Sequence, residues 1–143
     1  MIRNKTWIIS VAIVQLLTGC IHGLSLFGKF QGQNDTERQL IELMYGYKFN
    51  MGAGIERSMA DLFVASNSCF TLLYLFGGSL NLYLLRNPIL IQTWRGLLII
   101  QILFFGTCFA VNFFLTFLPP AVLTAAVFLL LIIALLLLRP AED

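Results

Sequence analysis

Polar side chains are sparse along this chain and gather at a few breaks, which divide it into four long apolar runs. The runs are Thr6–Gly28, Ala60–Leu85, Thr93–Phe117 and Pro120–Leu138. Each meets the roughly 18–20 residues that carry an α-helix across bilayer hydrocarbon. A segment in hydrocarbon must satisfy its backbone internally. The pattern therefore predicts an all-α polytopic membrane protein, a four-transmembrane-helix up-down bundle forming one domain over residues 1–143.

The breaks carry their own signals. Arg86-Asn87-Pro88 closes the second run, because a proline disfavours helical backbone in the residue before it. Leu118-Pro119-Pro120 turns into the last run, whose first turn accepts proline. The one long break is Lys29–Met59. Within it, Asn34-Asp35-Thr36-Glu37 reads as a helix start, with Asn34 as cap and Glu37 three residues on. Leu40, Ile41, Met44 and Tyr47 then recur at helical spacing, which predicts a short amphipathic helix lying at the interface or folded over the bundle. Gly46, Gly52 and Gly54 argue against its extending far.

Composition sharpens the class. Of 143 residues, 59% are hydrophobic and 11% charged, against about 25% charged in soluble domains. The net charge of +2 is too small and too dispersed for a nucleic-acid partner. Cys20, Cys69 and Cys108 lie in three different runs without CxxC spacing, so they are expected to be small packing residues. Leu17-Thr18-Gly19-Cys20 has the form of a lipoprotein cleavage box, but the apolar run continues past Cys20 and no polar tether follows. An intact first span is the expectation. Four spans put both termini on one side, with Arg3, Lys5, Arg86, Arg95 and Arg139. Lys29, Arg38, Lys48 and Arg57 lie on the other. The excess of bases places both termini in the cytoplasm, and the long loop outside or in the periplasm.

That topology aligns polar positions by depth. In the first span Gln15, Gly19, His22 and Gly23 share a face, and the Gly19-xxx-Gly23 spacing favours close helix approach. Asp61, Ala65, Ser68 and Leu72 share a face of the second span, while Asn67 and Asn81 sit elsewhere on that helix. Gln101, Phe105, Cys108 and Asn112 make an inward stripe on the third. His22, Asp61 and Asn112 fall at similar depth in the outer leaflet, with Gln15, Ser68, Gln101 and Cys108 continuing toward the midplane. Ionisable residues at membrane depth mark functional sites by default. The sole histidine, His22, and Asp61 are thus the expected pair, for general-base chemistry, proton relay or headgroup anchoring. A plain interhelical hydrogen bond is the structural alternative. Arg57 and Glu56 are expected to form an interfacial ion pair. The donor set is too thin for a metal site, and no motif calls for another cofactor.

Gly19-Cys20-Ile21-His22-Gly23 in the first span and Ser58-Met59-Ala60-Asp61-Leu62-Phe63 entering the second resemble a family of small bacterial four-helix membrane proteins. That family shows Gly-x-x-His and Ser-x-x-Asp-aromatic at these places; here the aromatic comes one residue later. A vaguer similarity to DoxX-like membrane proteins rests on Gly-x-x-His alone. The resemblance implies a bacterial inner membrane location, the fold and the site, and names no chemistry. The leading functional expectation is a non-enzymatic membrane protein. It would bind a lipid or small apolar molecule, or a partner protein, through His22, Asp61, Asn112, Ser68, Gln15 and Arg57. One alternative is a small isomerase or oxidoreductase acting on a lipid-like or quinone-like substrate through His22 and Asp61. The other is a transporter subunit, which would need a homo-oligomer to complete a path.

Overall fold

A computed structural model describes residues 5–28, 31–87 and 89–139. Five helices and one short hairpin follow in order: α1 Lys5–Ser25, α2 Asp35–Gly46, β1 Lys48–Asn50, β2 Glu56–Ser58, α3 Met59–Arg86, α4 Ile91–Leu115 and α5 Leu118–Leu136. The helices α1, α3, α4 and α5 are long and apolar enough to cross a membrane. Their ends follow local chemistry. α1 stops at Ser25, short of Gly28, because its last turn tightens. The N–H groups of Leu26, Phe27 and Gly28 bond the carbonyls three residues back, and the Ser25 hydroxyl donates to the His22 carbonyl at 2.6 Å. α5 begins at Leu118 with Pro119 and Pro120 in its first turn, where a helix has no use for their missing donors.

The chain forms two compact units, and α1 and α3 contribute to both. The first comprises residues 1–18 and 74–143. Its core is a set of helical stripes: Ile8, Val11, Ala12 and Gln15 on α1, Trp94, Leu98, Gln101 and Phe105 on α4, and Thr124, Val127, Leu131 and Ala134 on α5. Tyr74, Gly77, Gly78 and Asn81 line the buried face of α3. In lipid, whose tails are as apolar as leucine, helices of this kind pair through close contact and hydrogen bonds rather than by escaping water. Small residues supply the contact. A β-carbon on Gly78 would lie 2.7 Å from Leu16 Cγ and 2.9 Å from the Ala12 carbonyl oxygen, so α1 packs directly on the α3 backbone. On α4, a β-carbon on Gly106 would meet the Phe128 ring at 2.8 Å, and the Phe128 ring stacks on that of Phe109 at 6.0 Å.

The second unit, residues 19–73, holds α2 and the hairpin. α2 starts as its sequence predicts. Asn34 Oδ1 accepts from the Glu37 N–H at 2.9 Å, and Glu37 returns with Oε2 accepting from the Gln33 N–H at 2.6 Å. The helix carries no buried residue. The hairpin after it departs from the loop expected over Lys29–Met59. Lys48, Phe49 and Asn50 pair with Ser58, Arg57 and Glu56 in antiparallel register. Its tip runs through positive φ at Gly52, Ala53 and Gly54. The Asn50 side chain accepting from the Gly52 N–H at 2.9 Å fixes the entry to that turn. Strands of three residues are too short to show alternation, and no Asn-Gly or Asp-Gly pair marks the turn.

Within this unit Gly23 brings α1 against α3, since a β-carbon there would sit 3.2 Å from Thr71 Cγ2. The Asp61, Ala65, Ser68, Leu72 face turns largely outward: Asp61, Ala65 and Leu72 are exposed and only Ser68 is half-buried.

Candidate functional site

Asp61 sits in the first turn of α3, and its carboxylate is already engaged. The Ser58 N–H donates to Asp61 Oδ2 at 2.9 Å, and the Asp61 N–H donates to Ser58 Oγ at 3.2 Å. This reciprocal pair is a capping box, satisfying two of the donors that a helix start leaves without partners. The carboxylate also lies where the helix dipole favours negative charge. Ser-x-x-Asp at this place thus has a local structural meaning: it starts α3. Asp61→Ala is expected to lower stability, because it removes one half of the box. Asp61→Glu, which can rebuild the box, should lose less; reversible unfolding in mixed micelles followed by circular dichroism measures both.

Arg57 lies in β2, and its guanidinium donates to the Glu56 main-chain carbonyl at 2.8 Å. The expected ion pair with the Glu56 carboxylate does not form, because adjacent residues of a strand point to opposite faces. Among the described residues the ion pair is Arg38 with Asp35, at 3.3 Å on the exposed face of α2. The Ser68 hydroxyl donates to the Val64 carbonyl of its own helix at 2.7 Å.

His22 differs from these. It is half-buried, and its ring meets Phe70 edge-on at 6.4 Å. Its Nε2 is shielded from solvent and has no hydrogen-bond partner among the described residues. Phe70 lies nine residues after Asp61 on α3, about 13 Å of helical rise away. The structure therefore does not bring His22 and Asp61 together. Helices that began level would put the two side chains at one depth; the offset set at Gly23 and Thr71 puts His22 beside Phe70 instead.

Gln15 and Asn112 belong to the other unit. Asn112 is committed within α4: its Nδ2 donates to the Cys108 carbonyl at 2.8 Å, and its own carbonyl accepts from the Thr116 hydroxyl at 2.7 Å. Gln15 joins two partners in a buried carboxamide triad. Gln15 Nε2 donates to Gln101 Oε1 at 3.0 Å. Asn81 Nδ2 donates to Gln15 Oε1 at 2.9 Å and to Gln101 Oε1 at 3.0 Å. Gln101 Nε2 donates to Asn81 Oδ1 at 2.9 Å. Gln15 and Asn81 are fully buried and Gln101 nearly so.

Gly77 leaves room for this network, since a β-carbon there would lie 2.9 Å from Gln15 Nε2. Gln15 and Gln101 fall on the polar faces expected from the sequence, and Asn81 does not. The signal for Asn81 is its place four residues after Gly77, on the face that the glycine pair opens to a neighbour.

Carboxamides neither gain nor lose protons near neutral pH, so the triad holds helices together and does no acid–base work. Two further hydroxyls in that unit, Thr18 Oγ1 and Tyr74 Oη, are buried without a hydrogen-bond partner among the described residues. The thiols of Cys20 and Cys69 are exposed and that of Cys108 is half-buried, all three free. No three His, Cys, Asp or Glu side chains come together among the described residues. Comparison of the chain with protein-family models, with curated proteins and with solved structures finds no match.

Proposed function

We propose that this is a multi-pass membrane protein of the binding rather than the catalytic kind, holding a lipid or small apolar molecule with His22 as the polar anchor. The observation that carries the reading is the unpartnered, shielded Nε2 of His22. A buried imidazole nitrogen without a partner costs free energy, and an amphiphile with a hydroxyl, carbonyl or phosphate head would supply the missing bond. The neighbouring Phe70 ring and the exposed Leu24 and Phe27 suit an apolar tail. The other polar side chains expected at the site are engaged in local or interhelical hydrogen bonds, which supports binding over proton transfer. In this reading the protein sits in a bacterial inner membrane with both termini cytoplasmic. The distribution of bases supports that orientation.

Mass spectrometry of the species that co-purify with wild type, His22→Ala and Asp61→Ala tests the reading. Wild type and Asp61→Ala are expected to retain the same amphiphile, and His22→Ala to lose most of it. Identical bound species in all three, or loss from a folded Asp61→Ala chain alone, would overturn it.

A further inference from the structure

The helix α2 presents an apolar face that the described residues leave largely uncovered. Leu40 is 57% exposed and Leu43 64%, and the helix has no buried residue. At 100° per residue, Leu40, Leu43 and Met44 fall within an arc of about 100°, with Asp35, Arg38, Gln39 and Glu42 opposite. Two observations together say what lies beneath that face.

The first is position. α2 ends at Gly46, and Lys48, two residues on, is paired across the hairpin with Ser58. Ser58 caps α3, one of the four helices long and apolar enough to cross a membrane. Two residues reach at most about 7 Å, and paired strands lie about 5 Å apart. The C-terminal end of α2 is therefore pinned beside the point where α3 enters the hydrocarbon. Tyr45 and Tyr47 stand there, 45% and 59% exposed, the residue type that gathers at headgroup level.

The second is a shallow trough of about 510 Å³ beside the helix, lined by Gln39, Glu42, Leu43, Gly46 and Tyr47. Polar and apolar side chains line it together, a mixture that suits a headgroup layer.

We infer that the Leu40, Leu43 and Met44 face of α2 docks into the headgroup zone of a zwitterionic phospholipid bilayer. Charge selects the lipid class. Asp35, Glu37 and Glu42 outnumber Arg38 on the helix, so an anionic surface would repel rather than attract it. The inference rests on the multi-pass reading and is independent of His22.

The test is spin-label accessibility in the full chain. Leu43→Cys and Glu42→Cys are placed in a background with Cys20, Cys69 and Cys108 changed to alanine. The protein is reconstituted in phosphatidylcholine vesicles, and separately in phosphatidylcholine mixed with phosphatidylglycerol. In phosphatidylcholine, the oxygen-to-nickel-chelate collision ratio is expected to be roughly threefold or more higher at Leu43 than at Glu42, as for a face sunk 5–10 Å into the interface. The mixture should give no larger ratio.

Equal nickel access at both positions means α2 lies in water, and low access to both reagents at Leu43 means protein covers it; either overturns the docking. A ratio that rises with phosphatidylglycerol overturns the lipid class. Should the cysteine-free chain not fold, benzoylphenylalanine at Leu43 in the unaltered background decides instead. A phospholipid adduct supports docking, and a protein adduct or none overturns it. Resistance of the vesicle-bound protein to carbonate extraction separates the two layers of the reading. A retained chain with Leu43 in water refutes only the docking of α2, whereas a released chain refutes membrane spanning itself.

Discussion

Gln101→Met is expected to lower unfolding free energy by roughly 2–3 kcal/mol, the largest effect of any single side-chain truncation in the buried polar set. Gln101 takes part in three of the four hydrogen bonds of the triad, and Gln15 in two. An interhelical hydrogen bond within a membrane contributes about 0.6 kcal/mol on average. Removing Gln101 also leaves amide groups of Gln15 and Asn81 without partners, and both side chains are fully buried. Gln15→Met should therefore cost less than Gln101→Met, while Asn81→Leu should approach it.

Replacing all three residues by apolar ones should cost less than the single losses combined, because no orphaned amide remains. Reversible unfolding in mixed micelles, followed by circular dichroism, gives the ranking. Equal small losses for all three single variants would show that the amides are not coupled.

Gly78→Ala is expected to destabilise by about 1–3 kcal/mol, as overpacking does in a tight core. The new methyl would lie 2.9 Å from the Ala12 carbonyl oxygen, a backbone atom that cannot rotate away, and 2.7 Å from Leu16 Cγ. Relief requires α1 to move off α3, and that motion also strains the triad, since Gln15 lies one turn from Ala12 on the same helix face.

Gly96→Ala on α4 is the internal control. A β-carbon there meets nothing within 4 Å, so the change should leave stability unaltered or raise it by about 0.5–1 kcal/mol, from helix propensity alone. Opposite signs for two Gly-to-Ala changes in helices of one unit would place the effect in packing and not in propensity. A common sign would remove the argument for close approach at Gly78.

Much of the fold is legible in the linear pattern because it depends on local terms. Four apolar runs of spanning length, Pro119 and Pro120 at the start of the last helix, and the Asn34–Glu37 box before α2 each act within a few residues. The helices begin and end within a few residues of where those signals stand. The β1–β2 hairpin was not legible, since its pairing rests on a three-residue register and a tip of left-handed backbone through Ala53. The capping role of Asp61 could be read from Ser58 three residues before it, but the same spelling serves an intramembrane carboxylate, and only the hydrogen bonds to Ser58 separate the two.

From the linear pattern come the helical segments, their approximate lengths, and the polar residues that fall inside the apolar runs. It could not determine which of those polar residues meet. One residue of rotation turns a helical side chain by 100°, and one residue of slide moves it 1.5 Å. A shift of a single residue therefore exchanges one partner for another. The tertiary structure decided it through contacts between residues far apart in the chain. Gly78 against Ala12 and Leu16 sets how α1 lies on α3, so that Gln15 meets Asn81 and Gln101. Gly23 against Thr71 places His22 on Phe70, away from Asp61.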